Sequence, residues 1–302
     1  MSKSKPILVY HAVFAFAVVY SVVSWWDALV QQNIFQVFSL VAFNLMLIMY
    51  SVIQSFQHSH LSMTDMDHIM NDHGVGYVYN TREFELGLTA MVSFCSFCLL
   101  VLAYPLYRSF AWGFYQRLGA DVRIRSMNVH HLVLIMLLKL DFFFFTSYAI
   151  QMVTLLLTFD STGTILRVAL GLPLSILVIL LGYFGVNREN RAVTYAYLTG
   201  LVIGLAYIVF ELAYMIHSEE HADDPYVNSR KFLYFFSVIL ILLIIASFSY
   251  GVLCLRNFNR GLKEARAESS QEFESLPTSK RWTGRPTSAQ AAMRPISNVE
   301  ID

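Results

Sequence analysis

Two ionisable side chains sit inside one strongly apolar run, Lys139 and Asp141 in LLKLDFFFF. Near the centre of a membrane helix each would cost roughly 2.5–3.5 kcal/mol on insertion scales. Residues two apart point to different sides of a helix, so the two are poor partners for one another and each needs a partner on another helix. The chemistry on offer is a proton or ion relay, or a contact to a polar substrate. The structural alternative is an interhelical lock with Phe142 to Phe145 packed beside it. Lys139 lies roughly 12 Å from the start of its apolar stretch and has a stem long enough to snorkel. Asp141 is deeper and shorter, and either faces protein or is neutral. Glu211 is a third intramembrane candidate; it sits near the end of its apolar run and reads as a wetted rim residue. Asn44 and Gln151 suit interhelical hydrogen bonds. His11 reads as a relay or as a packing histidine.

A second set of groups is concentrated in two polar stretches. QHSHLSMTDMDHIMNDH supplies His58, His60, His68 and His73 among Asp65, Asp67 and Asp72. HSEEHADD supplies His217 and His221 among Glu219, Glu220, Asp223 and Asp224. Imidazole and carboxylate suit zinc or manganese, and histidines among carboxylates suit a pH sensor. Solvated polar loops explain the same pattern, and no H-E-x-x-H is present. The CSFC of Cys95 and Cys98 lies within an apolar run, where it has neither the helix N-terminus nor the accessible thiolate of a redox pair.

The elements that must position these groups follow from composition. The chain has 302 residues, 56% hydrophobic and only 14% charged, with a mean hydropathy of +0.53. Soluble domains run nearer 25% charged. Residues 256–302 carry a disproportionate share of the charge, 14 of 42 charged residues. A soluble enzyme, a disordered chain and a secreted disulfide scaffold are excluded. Zero net charge excludes a nucleic-acid footprint. No cofactor is expected, and oligomeric state is not legible.

Seven stretches have the ~20 apolar residues a bilayer requires. They run from Pro6 to Ser24, Ile34 to Gln54, Leu86 to Tyr107, His131 to Phe159, Ile165 to Phe184, Ala192 to Ile216 and Phe232 to Leu255. Pro105 is expected to kink or end the third. SVVSWW offers no small-x-small cleavage site, so the first is expected to remain as a span. The fold class is therefore all-α: a polytopic transmembrane helix bundle of about seven spans over 1–255, followed by a polar tail over 256–302, mostly disordered.

The connections after spans three and five together with residues 256–266 after span seven hold ten Lys and Arg; the opposite set holds six. The positive-inside rule then puts the C-terminus in the cytosol and the histidine-rich stretches on the far side. Lys3 and Lys5 run against that assignment. In the tail, 256–268 suits a short surface helix with Phe258, Leu262 and Ala265 on one face. RPTS and RPIS place arginines near Ser288 and Ser297, a pattern open to phosphorylation or to plain solvation. Cys254 reads as an inert buried thiol or a palmitoylation site.

Four stretches carry a family resemblance: WDALVQQNIFQV (Trp26 to Val37), YSVIQ (Tyr50 to Gln54), GADVRIR (Gly119 to Arg125) and LLKLDFFFF (Leu137 to Phe145). With these the chain resembles a family of fungal Golgi apparatus membrane proteins of uncharacterised activity. The resemblance runs through most of the spanning region and not the tail. It implies a multi-span Golgi protein and transfers no functional residue. The family includes members with an additional hydrophobic start; a span before Met1 would place Lys3 and Lys5 after it.

Three functions compete. The first is a non-enzymatic multi-pass Golgi membrane protein acting in trafficking, cargo handling or membrane organisation, with lipid around it and the tail as contact for a cytosolic partner. The second is a small-solute or proton-coupled transporter using Lys139, Asp141 and Glu211. The third is a seven-helix receptor, against which stand the absent acidic-Arg-aromatic and Asn-Pro-x-x-Tyr signatures. A metal-dependent membrane hydrolase is a distant fourth. The expectation is the first, without catalysis.

Overall fold

The computed structural model describes residues 5–69, 75–117, 122–158, 162–218 and 230–261. Seven α-helices make up the described chain: α1 (Lys5–Gln31), α2 (Ile34–Ile69), α3 (Val75–Arg117), α4 (Val122–Thr158), α5 (Thr162–Asn187), α6 (Arg191–Ser218) and α7 (Arg230–Asn257). Six contain, among the described residues, a stretch long and apolar enough to cross a bilayer. The seventh, α5, shows a shorter apolar stretch, Pro173–Asn187, within a helix of 26 residues. All-helical architecture follows from the solvent: in lipid each span must satisfy its own backbone.

Three helices differ from the hydropathy reading. α1 continues past Ser24 through WWDALVQ, which brings Asp27 into the bundle. α2 runs on through the polar QHSHLSMTDMDHI, read above as a loop, because neither Gly nor Pro interrupts the sequence before Gly74. α3 passes through Pro105 and ends only at Arg117; a proline removes one backbone donor, and a membrane helix tolerates that through local adjustment.

Two turns at one end of the bundle share a design. Gln32 between α1 and α2, and Glu189 between α5 and α6, are left-handed with φ of 50° and 52°. In both, the next residue is an asparagine whose backbone N–H reaches back to close the preceding helix, Asn33 to the Ala28 carbonyl at 3.4 Å and Asn190 to the Gly185 carbonyl at 2.9 Å. The same asparagines then cap the following helix: Asn33 Oδ1 accepts from the Phe35 N–H at 3.1 Å and Asn190 Oδ1 from the Ala192 N–H at 3.1 Å. Replacing Asn190 by Ala is expected to cost about 1 kcal/mol, measured as a lower midpoint of thermal unfolding in detergent.

The core sits on α4, which packs against α1, α2, α5 and α7. α7 offers it a stripe at alternating spacings of three and four, Ser237, Leu240, Ile244, Ser247, Gly251 and Cys254, all buried. α5 and α6 approach closely because glycine lies at their contact. A Cβ on Gly182 would stand 2.8 Å from both Leu138 and the Tyr197 ring, and one on Gly200 would stand 2.7 Å from Val178. Gly182→Ala is expected to cost about 1–3 kcal/mol by overpacking. Gly87, with open space around its Cβ position, is the internal control. On the other side of α4, Phe43, Phe143, Phe144 and Phe236 form an aromatic cluster joining α2, α4 and α7, edge-to-face at Phe43–Phe143 and Phe143–Phe144 and tilted at Phe144–Phe236. Just after α7 the described residues 258–261 form a turn and not a helix: Phe258 turns back into the core, Asn259 is left-handed and its N–H bonds Glu189 Oε2 at 3.1 Å. Leu262, Ala265, Ser288 and Ser297 lie outside the described residues.

Candidate functional site

Lys139 and Asp141 leave opposite sides of α4 and enter two different polar clusters. The first gathers Asp27 and Gln31 from α1, Gln36 from α2 and Lys139 from α4. Lys139 Nζ forms an ion pair with Asp27 Oδ2 and donates to Gln36 Oε1 at 3.0 Å. Gln36 Nε2 donates to the same Asp27 oxygen at 2.7 Å and to the Ser24 carbonyl at 3.1 Å. Gln31, one turn beyond Asp27, donates to Asp27 Oδ1 at 2.6 Å. Both carboxylate oxygens and the ammonium are thus partnered. The pair is half-buried, with side-chain exposures of 27% and 32%. Two of the stretches that carry the family resemblance, WDALVQQNIFQV and LLKLDFFFF, meet here. The chemistry is that of a clamp: opposite charges and an amide pin the α1–α2 hairpin to α4.

The second cluster is buried between α4, α6 and α7. Asp141 is fully buried; its Oδ2 accepts the Ser247 hydroxyl at 2.6 Å. Its Oδ1 has no hydrogen-bond partner among the described residues. One turn nearer the α5–α6 turn, Tyr197 fills the space that Gly182 and Gly251 leave open, and its buried hydroxyl has no hydrogen-bond partner among the described residues. Further along α4, Ser147 and Gln151 are buried with polar atoms that have no partner among the described residues, as is Ser237 on α7. At the other extreme His130 Nδ1 and Asn257 Nδ2 lie 3.3 Å apart, closing the seam where α7 ends. A buried polar atom left unpaired costs about 1–3 kcal/mol. The two clusters therefore differ in kind: Lys139 is satisfied and Asp141 is not.

Glu211 is not a rim residue. It is 2% exposed, on the inner stripe of α6 with Ile208 and Met215, and it is engaged in contacts there. Asn44 joins α1 to α2 through Ser21 at 3.4 Å; Gln151, expected to hydrogen-bond across helices, has neither amide atom partnered among the described residues. His58, His60 and His68 lie along α2, His217 is exposed at the end of α6, and His73 and His221 fall outside the described residues. Among the described residues no group of three His, Cys, Asp or Glu is placed to hold a metal. Cys95 is exposed, Cys98 partly so and Cys254 buried, all as free thiols. A cleft among α1, α2, α4 and α7, lined by Val13, Phe43, Tyr50, Phe143 and Phe236, is apolar and offers nothing to a polar solute.

Sequence reasoning missed Asp27, Gln31, Gln36, Tyr197, Ser237 and Ser247. For Asp27 the signal was present: a carboxylate and an amide four apart, Asp27 and Gln31, just beyond a hydrophobic run. For Ser237 and Ser247 there was none, since a serine in a membrane helix can bond its own backbone at little cost.

The chain is 27% identical over 270 residues to a UPF0658 Golgi apparatus membrane protein of Schizosaccharomyces pombe, an alignment covering 83% of this chain and 76% of that one. No family model and no solved structure matches it. The expected family resemblance, and with it a multi-pass fold in the Golgi membrane by homology, is borne out by that relative.

Proposed function

We propose that this chain, by homology a multi-pass protein of the Golgi membrane, is a non-enzymatic, proton-coupled transporter of a small solute. Asp141 is its proton-carrying group. The observation that supports this is the unequal satisfaction of Lys139 and Asp141 on α4: the half-buried Lys139 is paired, while the fully buried Asp141 keeps one oxygen without a partner among the described residues. A purely structural carboxylate would gain by completing its hydrogen bonds, because each missing one costs about 1–3 kcal/mol. A carboxylate that takes up and releases a proton needs an oxygen left open for it. Ser247 holds the side chain in place through the other oxygen. Tyr197 and Ser147 extend polar groups along the seam in both directions.

In the proposed orientation the α1–α2 and α5–α6 turns and the tail over 256–302 face the cytosol, and the histidine-rich stretches face the lumen. A C-terminal tag digested by protease in intact Golgi vesicles supports that orientation; a protected tag reverses it. The functional test is a ratiometric pH reporter in the Golgi lumen of cells lacking the protein. Wild-type chain is expected to restore the lumenal pH, and Asp141→Asn, at equal abundance and location, is not. If Asp141→Asn restores it fully, the seam is an interhelical lock and the role is one of membrane organisation or trafficking.

A further inference from the structure

The end of α7 is tied to the α5–α6 turn. The Asn259 N–H donates to Glu189 Oε2 at 3.1 Å, and Glu189 holds the left-handed position of that turn. This one contact gathers three cations. Arg188 directly precedes Glu189, Arg191 is the first residue of α6 two positions later, and Arg260 directly follows Asn259. All three arginines are exposed, and none has a side-chain hydrogen bond or ion pair among the described residues. The carboxylate between them, Glu189, is turned onto the Asn259 N–H. Three positive charges therefore stand against one negative charge at a single corner of the bundle.

The level of this corner fixes what can reach it. The apolar stretch of α5 stops at Asn187, one residue before Arg188; the spanning stretch of α6 starts at Arg191; that of α7 stops at Asn257, three residues before Arg260. The arginines thus lie at the head-group level, where basic pockets between spans take anionic head groups. Tyr183 on α5 and Tyr195 on α6 are exposed just deeper in the same two helices, as interfacial tyrosines are.

We propose that the corner of Arg188, Arg191 and Arg260 is a docking site for a membrane lipid whose head group carries a phosphomonoester. The site does not depend on the transport reading. Its surplus of two positive charges matches a phosphomonoester, which carries about 1.5–2 negative charges near pH 7. The guanidinium fork matches phosphate through paired N–H···O bonds. The positive-inside bias asks only for basic residues on one side of the membrane; it does not require three of them to gather at one turn. Arg108, exposed at the end of the α3 span and likewise without a side-chain partner among the described residues, is the contrasting case: α3 packs against α2.

The test is thermal unfolding of the purified full-length protein in detergent, titrated with dioctanoyl phosphatidylinositol phosphate or with dioctanoyl phosphatidylinositol, which lacks only the phosphomonoester. A ligand that binds the folded state raises its midpoint in a saturable way. Wild type and Arg108→Gln are expected to rise with the phosphorylated lipid and not with its parent. Arg188→Gln, Arg191→Gln and Arg260→Gln are each expected to raise the half-saturating lipid concentration about tenfold, and the triple variant to abolish the rise. The single variants keep the test open should the triple variant not fold. No rise in wild type, the same rise with both lipids, or a half-saturating concentration unchanged in all three single variants overturns the proposal. A loss in Arg108→Gln as large as in the single variants reveals a diffuse basic belt and overturns it as well. A rise that inorganic phosphate reproduces at equal concentration makes the ligand a free phosphate and overturns the assignment to a lipid.

Discussion

Asp141→Asn is expected to fold, reach the Golgi and carry no protons. The asparagine amide oxygen can still accept the Ser247 hydroxyl, now at 2.6 Å from Asp141, so the α4–α7 contact survives. What is lost is the exchangeable proton. Asp141→Ala is expected to behave differently. It leaves the Ser247 hydroxyl without its acceptor in a fully buried position and opens a small void beside it. The two losses together come to about 2–4 kcal/mol. Unfolding midpoints in detergent separate the variants: Asn close to wild type, Ala clearly below it. A midpoint for Asn as low as that for Ala would mean that Asp141 holds the helices together through its charge.

The second large effect concerns the clamp. Lys139→Met removes the cation from a carboxylate that retains Gln31 and Gln36 as donors. Breaking a fully buried pair costs about 3–5 kcal/mol; this one is about a third exposed, so about 1–3 kcal/mol is expected. Asp27→Asn is expected to cost a similar amount. The double variant should lose less than the sum, with a coupling of about 1–2 kcal/mol in a double-mutant cycle. Because the clamp is architectural, the double variant is expected to keep proton transport at the wild-type rate per folded molecule. Transport lost in the double variant while its stability holds would bring Lys139 into the conducting machinery.

Much of this arrangement was legible in residue order. Hydropathy located the spans because each must supply ~20 apolar residues. The cost of charge in lipid singled out Lys139 and Asp141, and their two-residue spacing sent them to different helices. Hydropathy is silent on where a helix continues outside the bilayer, so α1 was ended before Asp27, and the polar half of α2 was read as loop. Depth misjudged Glu211: its place near the end of an apolar run suggested water, while the spacing of Ile208, Glu211 and Met215 put it on the buried stripe. Which serines matter was not legible, because Ser237 and Ser247 differ from Ser249 only in the direction they face; Ser249 points outward and bonds the Ile245 carbonyl at 2.8 Å. Facing is a property of helix register, and register came only with the packed bundle.

The most direct test of the unsatisfied carboxylate is proton flux in proteoliposomes. Full-length wild type, Asp141→Asn and the Asp27→Asn, Lys139→Met double variant are reconstituted at equal density around a trapped pH-sensitive dye, and an imposed proton gradient is allowed to relax in the presence of alkali salt. Wild type and the double variant are expected to dissipate the gradient faster than protein-free vesicles, and Asp141→Asn to match the protein-free rate. Equal dissipation by wild type and Asp141→Asn, or none by wild type, would contradict the assignment of Asp141 as the proton carrier.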